Sequence, residues 1–181
     1  MTSSIRRFQD FQILKLQKEW LWSPPPDGWL KCNFDSGFVM DRSFTNTGWI
    51  LRDSNGKMIM AGGAKLRSSI SPLQAEALGF LHVLQVMWTH GLRYIWFESD
   101  NRQLVTLINK GEDNVVLGPL LNDIRFWISK FPNSSLDHVN RERNSAADTI
   151  AKQAATNTSM YTLYTVPPCW LVDYLYQPYT I

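Results

Sequence analysis

Residues 29–37 read Trp29-Leu30-Lys31-Cys32-Asn33-Phe34-Asp35-Ser36-Gly37, and the reading of this stretch decides the rest of the chain. In an extended conformation Leu30, Cys32 and Phe34 fall on one face, and Lys31, Asn33 and Asp35 on the other. The segment is thus a strand with an apolar face to bury and a polar face that ends in a carboxylate.

Downstream, a second strand over roughly 46–52 runs into Asp53-Ser54-Asn55-Gly56, a hairpin turn in which Gly56 takes positive φ, and a third strand follows near 57–66. Ser71-Pro72-Leu73-Gln74 opens a helix, with Ser71 as N-cap, Pro72 in the first turn and Gln74 completing a capping box. Its apolar stripe, Leu73, Ala77, Phe80, Leu81, Leu84, Met87 and Trp88, runs to a C-terminal cap at Gly91. Residues 93–99 form a nearly continuous apolar strand, as expected for burial on both faces, with Asp100 at its end. A short helix begins at 101–103, another at Pro119, a short strand lies near 135–139, and a last helix covers about 144–156. The order predicts an α/β fold, a mixed five-stranded sheet flanked by helices.

Upstream, residues 5–21 have rough helical spacing and stop at Pro24-Pro25-Pro26, which favour an extended spacer. The expected organisation is an N-terminal helix and Pro-rich linker over 1–28, a domain over 29–156, and an irregular tail over 157–181.

Composition narrows the class. The chain has 181 residues, 44% of them hydrophobic and 19% charged, an ordinary globular balance. Its net charge of +2 is too small to argue for a polyanion partner. Cys32 and Cys169 are far apart in sequence and read as buried small hydrophobes, compatible with a reducing, intracellular location in nucleus or cytoplasm. The amphipathic start, which lacks a signal-peptide apolar core, leaves an organelle address open. No apolar run approaches membrane-spanning length, so no membrane partner is expected.

Four carboxylates stand where a plain core would not place them: Asp35 and Asp100 at strand ends, Glu76 on the apolar face of its helix, and Asp148 beside Ala147, Ile150 and Ala151. A carboxylate facing a core is costly unless it is paired or bound to metal, and convergent carboxylates raise one another's pKa. Hard oxygen donors of this kind suit Mg²⁺ or Mn²⁺, and two such ions about 3.5–4 Å apart suit phosphodiester hydrolysis. For each acid alone, a turn, cap or surface-pair role is the commoner use; the argument rests on the ordered set.

That set has a family likeness. The stretches Trp29 to Asp35, Gly48 to Gly56, Gln74 to Leu78, Phe97 to Asp100 and His138 to Asp148 resemble the ribonuclease H superfamily, specifically the reverse-transcriptase-like ribonuclease H domains of plants that are related to non-LTR retroelements. The resemblance implies that Asp35, Glu76, Asp100 and Asp148 bind two metal ions with substrate. It also implies that His138 assists product release or proton transfer, that Asn144 helps open the last helix, and that Ser36, Gly37 and Asn144 lie against the substrate. The implied substrate is the RNA strand of an RNA–DNA hybrid, recognised through 2′-hydroxyls and backbone shape. His82 and His90 are assigned capping or surface roles.

Three departures are visible, one of them the absence of the family's usual paired glycines before Gly48-Trp49. Where the family has Gly after the first acid this chain has Ser36, whose side chain is expected to weaken catalysis; and the segment matching a basic substrate handle, Gly111-Glu112-Asp113-Asn114, is acidic. They keep open an alternative, a domesticated, catalytically weak domain that binds nucleic acid or a protein partner. Under either reading, binding should be weak and strongly salt-dependent.

Overall fold

The computed structural model describes residues 22–175. The helix expected over 5–21 lies outside the described residues. Strand β1 (Leu30–Gly37) pairs antiparallel with β2 (Phe44–Arg52), and β2 with β3 (Met58–Arg67). The turn after β2 is closed by Gly56 N–H donating to the Asp53 carbonyl, and Gly56 has φ +78° as expected.

Helix α1 (Pro72–Thr89) follows. Ser71 Oγ accepts from Gln74 N–H at 3.1 Å, while Gln74 Oε1 reaches one residue further back than a capping box requires, to Ile70 N–H. The helix stops in a Schellman arrangement around Gly91, φ +75°, where Leu92 N–H donates to the Met87 carbonyl. The chain then crosses back into β4 (Tyr94–Ser99), which lies parallel to β1. Helices α2 (Arg102–Asn109) and α3 (Gly118–Ile128) lead to β5 (Asn133–His138), parallel to β4. A 3₁₀ turn (Arg141–Asn144) runs into α4 (Ser145–Thr156).

The mixed α/β sheet flanked by helices is as expected, with one addition. Residues beyond 156, read as irregular, form a sixth strand β6 (Tyr161–Tyr164) and a helix α5 (Cys169–Leu175). The strand is too short for periodicity to reveal; it exists because the edge of β3 offers Ala61–Ala64 a partner. The sheet order is β5-β4-β1-β2-β3-β6.

The main core lies between the sheet and α1, with α3 closing over it. Phe34 stacks on Phe80 (4.7 Å between ring centroids), and Phe97 meets Phe80 edge-on. A smaller core lies on the opposite face, where α4 and α5 cover Ile50, Met58 and Ala61. Cys32 is buried, but Cys169 is exposed at the start of α5, contrary to expectation. The polar face of β1 is also not a solvent face: Lys31 and Asn33 are 1% and 0% exposed.

Helix α4 approaches β2 closely at Gly48, where a Cβ would lie 2.2 Å from the Ala151 nitrogen and 2.7 Å from the Ala147 carbonyl oxygen. Backbone, unlike a flexible side chain, cannot step aside. Gly48→Ala is therefore expected to destabilise the fold by about 1–3 kcal/mol, read as a lowered midpoint in urea unfolding. An unchanged midpoint would mean that α4 does not rest on β2 as described.

Candidate functional site

Parallel pairing of β1 with β4 puts the ends of these strands side by side, so Asp35 and Asp100 face each other across the seam. Glu76 comes from the first turns of α1 and is buried. The three carboxylates converge, with one ligand oxygen from each lying within 4.8 Å of the others. Glu76 Oε1 accepts from Ser36 N–H at 3.1 Å, whereas its Oε2 is buried without a hydrogen-bond partner.

Such crowding changes proton affinities. Burial first, then the charges of Asp100 and Asp148, push the Asp35 carboxyl up to about 7, against opposing effects of Arg141 and a hydrogen bond with Glu76. Burial, followed by the charges of Asp35 and Asp100, holds Glu76 well above the carboxylate range. Asp100 is raised chiefly by burial, with Arg141 the main opposing effect. An orphaned carboxylate oxygen within a ring of hard donors is what a divalent cation would complete, so the residues present fit Mg²⁺ or Mn²⁺.

Asp148 is not one of this close trio. It sits in the first turn of α4, near enough to act on Asp35 and Asp100, but its Oδ2 is paired with Lys152 Nζ at 2.5 Å. His138 ends β5, opposite Ser99 in the parallel register, and its charge acts on Asp100. Asn144 is buried, donating from Nδ2 to the Phe34 carbonyl at 2.9 Å and accepting from Asn33 Nδ2 at 3.3 Å.

The structure also answers the Ser36 question. Ser36 Oγ is turned inward against α1, where it bonds Thr47 Oγ1 at 3.1 Å and occupies the notch left by Gly79. A Cβ on Gly79 would lie 2.0 Å from that oxygen. Thr47 Oγ1 in turn donates to the Asp35 carbonyl at 3.0 Å. The extra side chain is accommodated by the helix rather than by the face bearing the carboxylates. Gly37 is held against Asn46, whose side chain a Cβ would strike.

A family model described as reverse transcriptase-like matches residues 33–154. The chain belongs to the reverse transcriptase-like family. This family's domain here shares its fold with solved ribonucleases H. Ribonuclease H1 from the halophilic archaeon Halobacterium salinarum NRC-1 superposes with a TM-score of 0.63 at 22% identity, covering 71% of this chain and 98% of that one. LC11-RNase H1, solved in complex with an RNA/DNA hybrid, gives 0.61 at 17% identity over 69% of this chain and 95% of that one. The prototype foamy virus protease–reverse transcriptase gives 0.55 at 11% identity, covering 75% of this chain and 22% of that one. No curated protein matches significantly by sequence.

Sequence reasoning missed two features of this reverse transcriptase-like domain. Arg141, exposed on the 3₁₀ turn, is the cation that bears most on Asp100. Its position three residues after His138 was the available signal. The second is a buried ionic group on the same sheet face: Lys31 Nζ meets Glu98 Oε1 at 2.7 Å, with both side chains nearly inaccessible. An acid within an otherwise apolar strand was its trace. Also corrected is His82, which is mostly buried rather than capping or superficial; burial lowers its pKa and its ring lies edge-on to Tyr161.

The raised carboxyls have a signed consequence. Asp35, near 7 folded and about 3.9 unfolded, binds more protons in the folded state between those values. Its contribution is fully present below pH about 4 and is lost as pH rises through about 7. Asp100→Asn removes one repelling charge, so the metal-free variant should melt higher than wild type by a few °C at pH 8, with the gap closing toward pH 4. A gap that is absent or widens on acidification would contradict the repulsion described.

Proposed function

We propose that this chain is a divalent-metal-dependent endonuclease that hydrolyses the RNA strand of RNA–DNA hybrids. The observation that carries the reading is the convergence of Asp35, Glu76 and Asp100, together with a Glu76 Oε2 that is buried without a partner. Asp35, Glu76 and Asp100, with Asp148 at the margin, would hold Mg²⁺ or Mn²⁺, two ions with substrate present. Bound there, such ions supply Lewis acidity that lowers the pKa of water and stabilises a leaving oxygen.

The chain's own residues do the rest. Ser36 N–H holds Glu76 Oε1, which leaves Oε2 of the deepest carboxylate buried and unpaired. Asn144 ties the start of α4 to the β1 backbone one residue before Asp35, which holds Asp148 to the same site. His138, at the β5 end opposite Ser99, would assist proton transfer to the departing 3′-oxygen or release of the product. Arg141 at the rim suits a phosphate oxygen. Solved relatives of the fold support this substrate class, LC11-RNase H1 having been seen with an RNA/DNA hybrid. We further propose a domain that begins near residue 29 and takes in β6, which pairs with β3, and α5, which closes the smaller core, together with plant origin, retroelement ancestry and an intracellular site of action.

A second reading, a catalytically weak binding domain, is favoured by the loop that carries Glu112 and Asp113. Asp113 is exposed and held by Arg125, and Val115 is fully exposed beside it, so this loop offers no basic grip on a polyanion.

Cleavage of a labelled RNA–DNA hybrid decides between them. Wild type should cleave only with added Mg²⁺ or Mn²⁺, and Asp100→Asn should lose at least about 100-fold in rate. A folded wild type that binds the hybrid and the metal without cutting would leave the binding domain. In the same assay Ser36→Gly should change the rate by less than about threefold, yet lower stability by about 1 kcal/mol, because it empties the Gly79 notch and removes a hydrogen bond. A large rate gain in Ser36→Gly would mean that the serine obstructs the substrate after all.

A further inference from the structure

The sheet face that carries Asp35 also holds four buried polar side chains with no part in the site: Lys31, Asn33, Arg52 and Glu98. Asn33 is the junction. Its Oδ1 accepts from Trp22 Nε1 at 2.8 Å and from Arg52 Nη2 at 3.1 Å; its Nδ2 donates to Glu98 Oε2 at 2.9 Å and to Asn144 Oδ1 at 3.3 Å. Every hydrogen-bonding site of that amide is filled, so its orientation is set by the four partners together.

Trp22 closes the group from outside. It is half-buried in the segment that precedes the domain, with its ring 3.8 Å from the Arg52 guanidinium carbon and 5.6 Å from Lys31 Nζ. The next residue, Ser23, accepts from Lys31 Nζ through its carbonyl at 2.8 Å. Two buried cations against one carboxylate leave an excess positive charge, and an indole face with two hydrogen bonds is the cover that makes such burial tolerable. On the inner side, Asn144 passes the arrangement to the Phe34 carbonyl and to the N-terminus of α4.

We infer that Trp22 is a positioning residue: through Asn33 and Asn144 it sets the spacing between the β1 carboxylate Asp35 and the α4 carboxylate Asp148, so that the segment leading into the domain tunes its affinity for divalent metal. The inference rests on the proposed metal site for its functional consequence, and on the hydrogen-bond chain for its structure. Trp22→Phe is the informative change, because it keeps an aromatic face over Arg52 while removing the Nε1–H together with part of the ring area.

The test uses the full chain and Mn²⁺ alone, titrated by calorimetry, with thermal melts alongside. Trp127→Phe, on the opposite side of the sheet where Trp127 packs against Trp88, serves as the control. Trp22→Phe should weaken Mn²⁺ binding by about threefold to tenfold, less than the loss typical of a residue bonded directly to a metal ligand, while Trp127→Phe leaves it unchanged. Equal Mn²⁺ affinity in wild type and Trp22→Phe, whatever the melting temperatures, overturns the inference and leaves Trp22 a structural cover. If wild type takes up no Mn²⁺, the metal-site reading fails instead. The chain is then judged by exchange of the Asn144 side-chain amide protons in NMR: faster exchange in Trp22→Phe supports it and unchanged exchange overturns it.

Discussion

Parallel pairing of β1 with β4 is the constraint on which the rest of this molecule turns. Two strands that run the same way end at the same edge, and here both ends carry an aspartate. Once Asp35 and Asp100 share an edge, their repulsion must be managed, and Glu76 from α1 crowds in a third carboxyl whose hydrogen bond with Asp35 offsets only part of it. Nearby cations only moderate it: Arg141 is exposed at the rim, and Lys152 is occupied with Asp148. A fold that spends stability in this way at one edge is built for what that edge holds.

The neighbouring ionic group is the counterpart. It lies on the same face of β1, two and four residues before Asp35, and each of its charges is hydrogen-bonded or stacked. In the carboxylate trio a buried carboxylate oxygen is left without a partner; around the Lys31–Glu98 pair the partnerless atoms are the donors Arg52 Nε and Trp96 Nε1, while both oxygens of Glu98 are bonded. The contrast lies in the acceptors: a partnerless carboxylate oxygen is what a cation would complete, whereas the Glu98 carboxylate is already bonded through both oxygens. Asn33 and Asn144 bridge the two, which makes the polar face of β1 a continuous structure from Trp22 to Asp35.

Ser36 shows how a departure from a family pattern is read differently in three dimensions. In sequence it stands where the family likeness implies a glycine, next to the proposed metal-holding Asp35, and looks like an obstruction. In the fold its hydroxyl is received by Gly79 and Thr47, residues distant in sequence, and its backbone N–H still serves Glu76. No local rule relates position 36 to position 79; only the packing of α1 on β1 does.

What the sequence determined by itself was whatever short-range periodicity and turn chemistry specify. Alternation in 29–35, the Gly56 turn, the Ser71 cap and the Gly91 stop each act within a few residues, so β1 to β3, α1 and the placing of Glu76 on a buried face were legible. Tertiary structure alone decided the rest. It brought Asp35, Glu76 and Asp100 into contact while leaving Asp148 with Lys152, buried Lys31 beneath Trp22, and made a strand of residues 161–164 by offering them an edge. The physical reason is range: dihedral preference and amphipathic period act along the chain, whereas burial, charge repulsion and strand pairing depend on neighbours that only folding supplies.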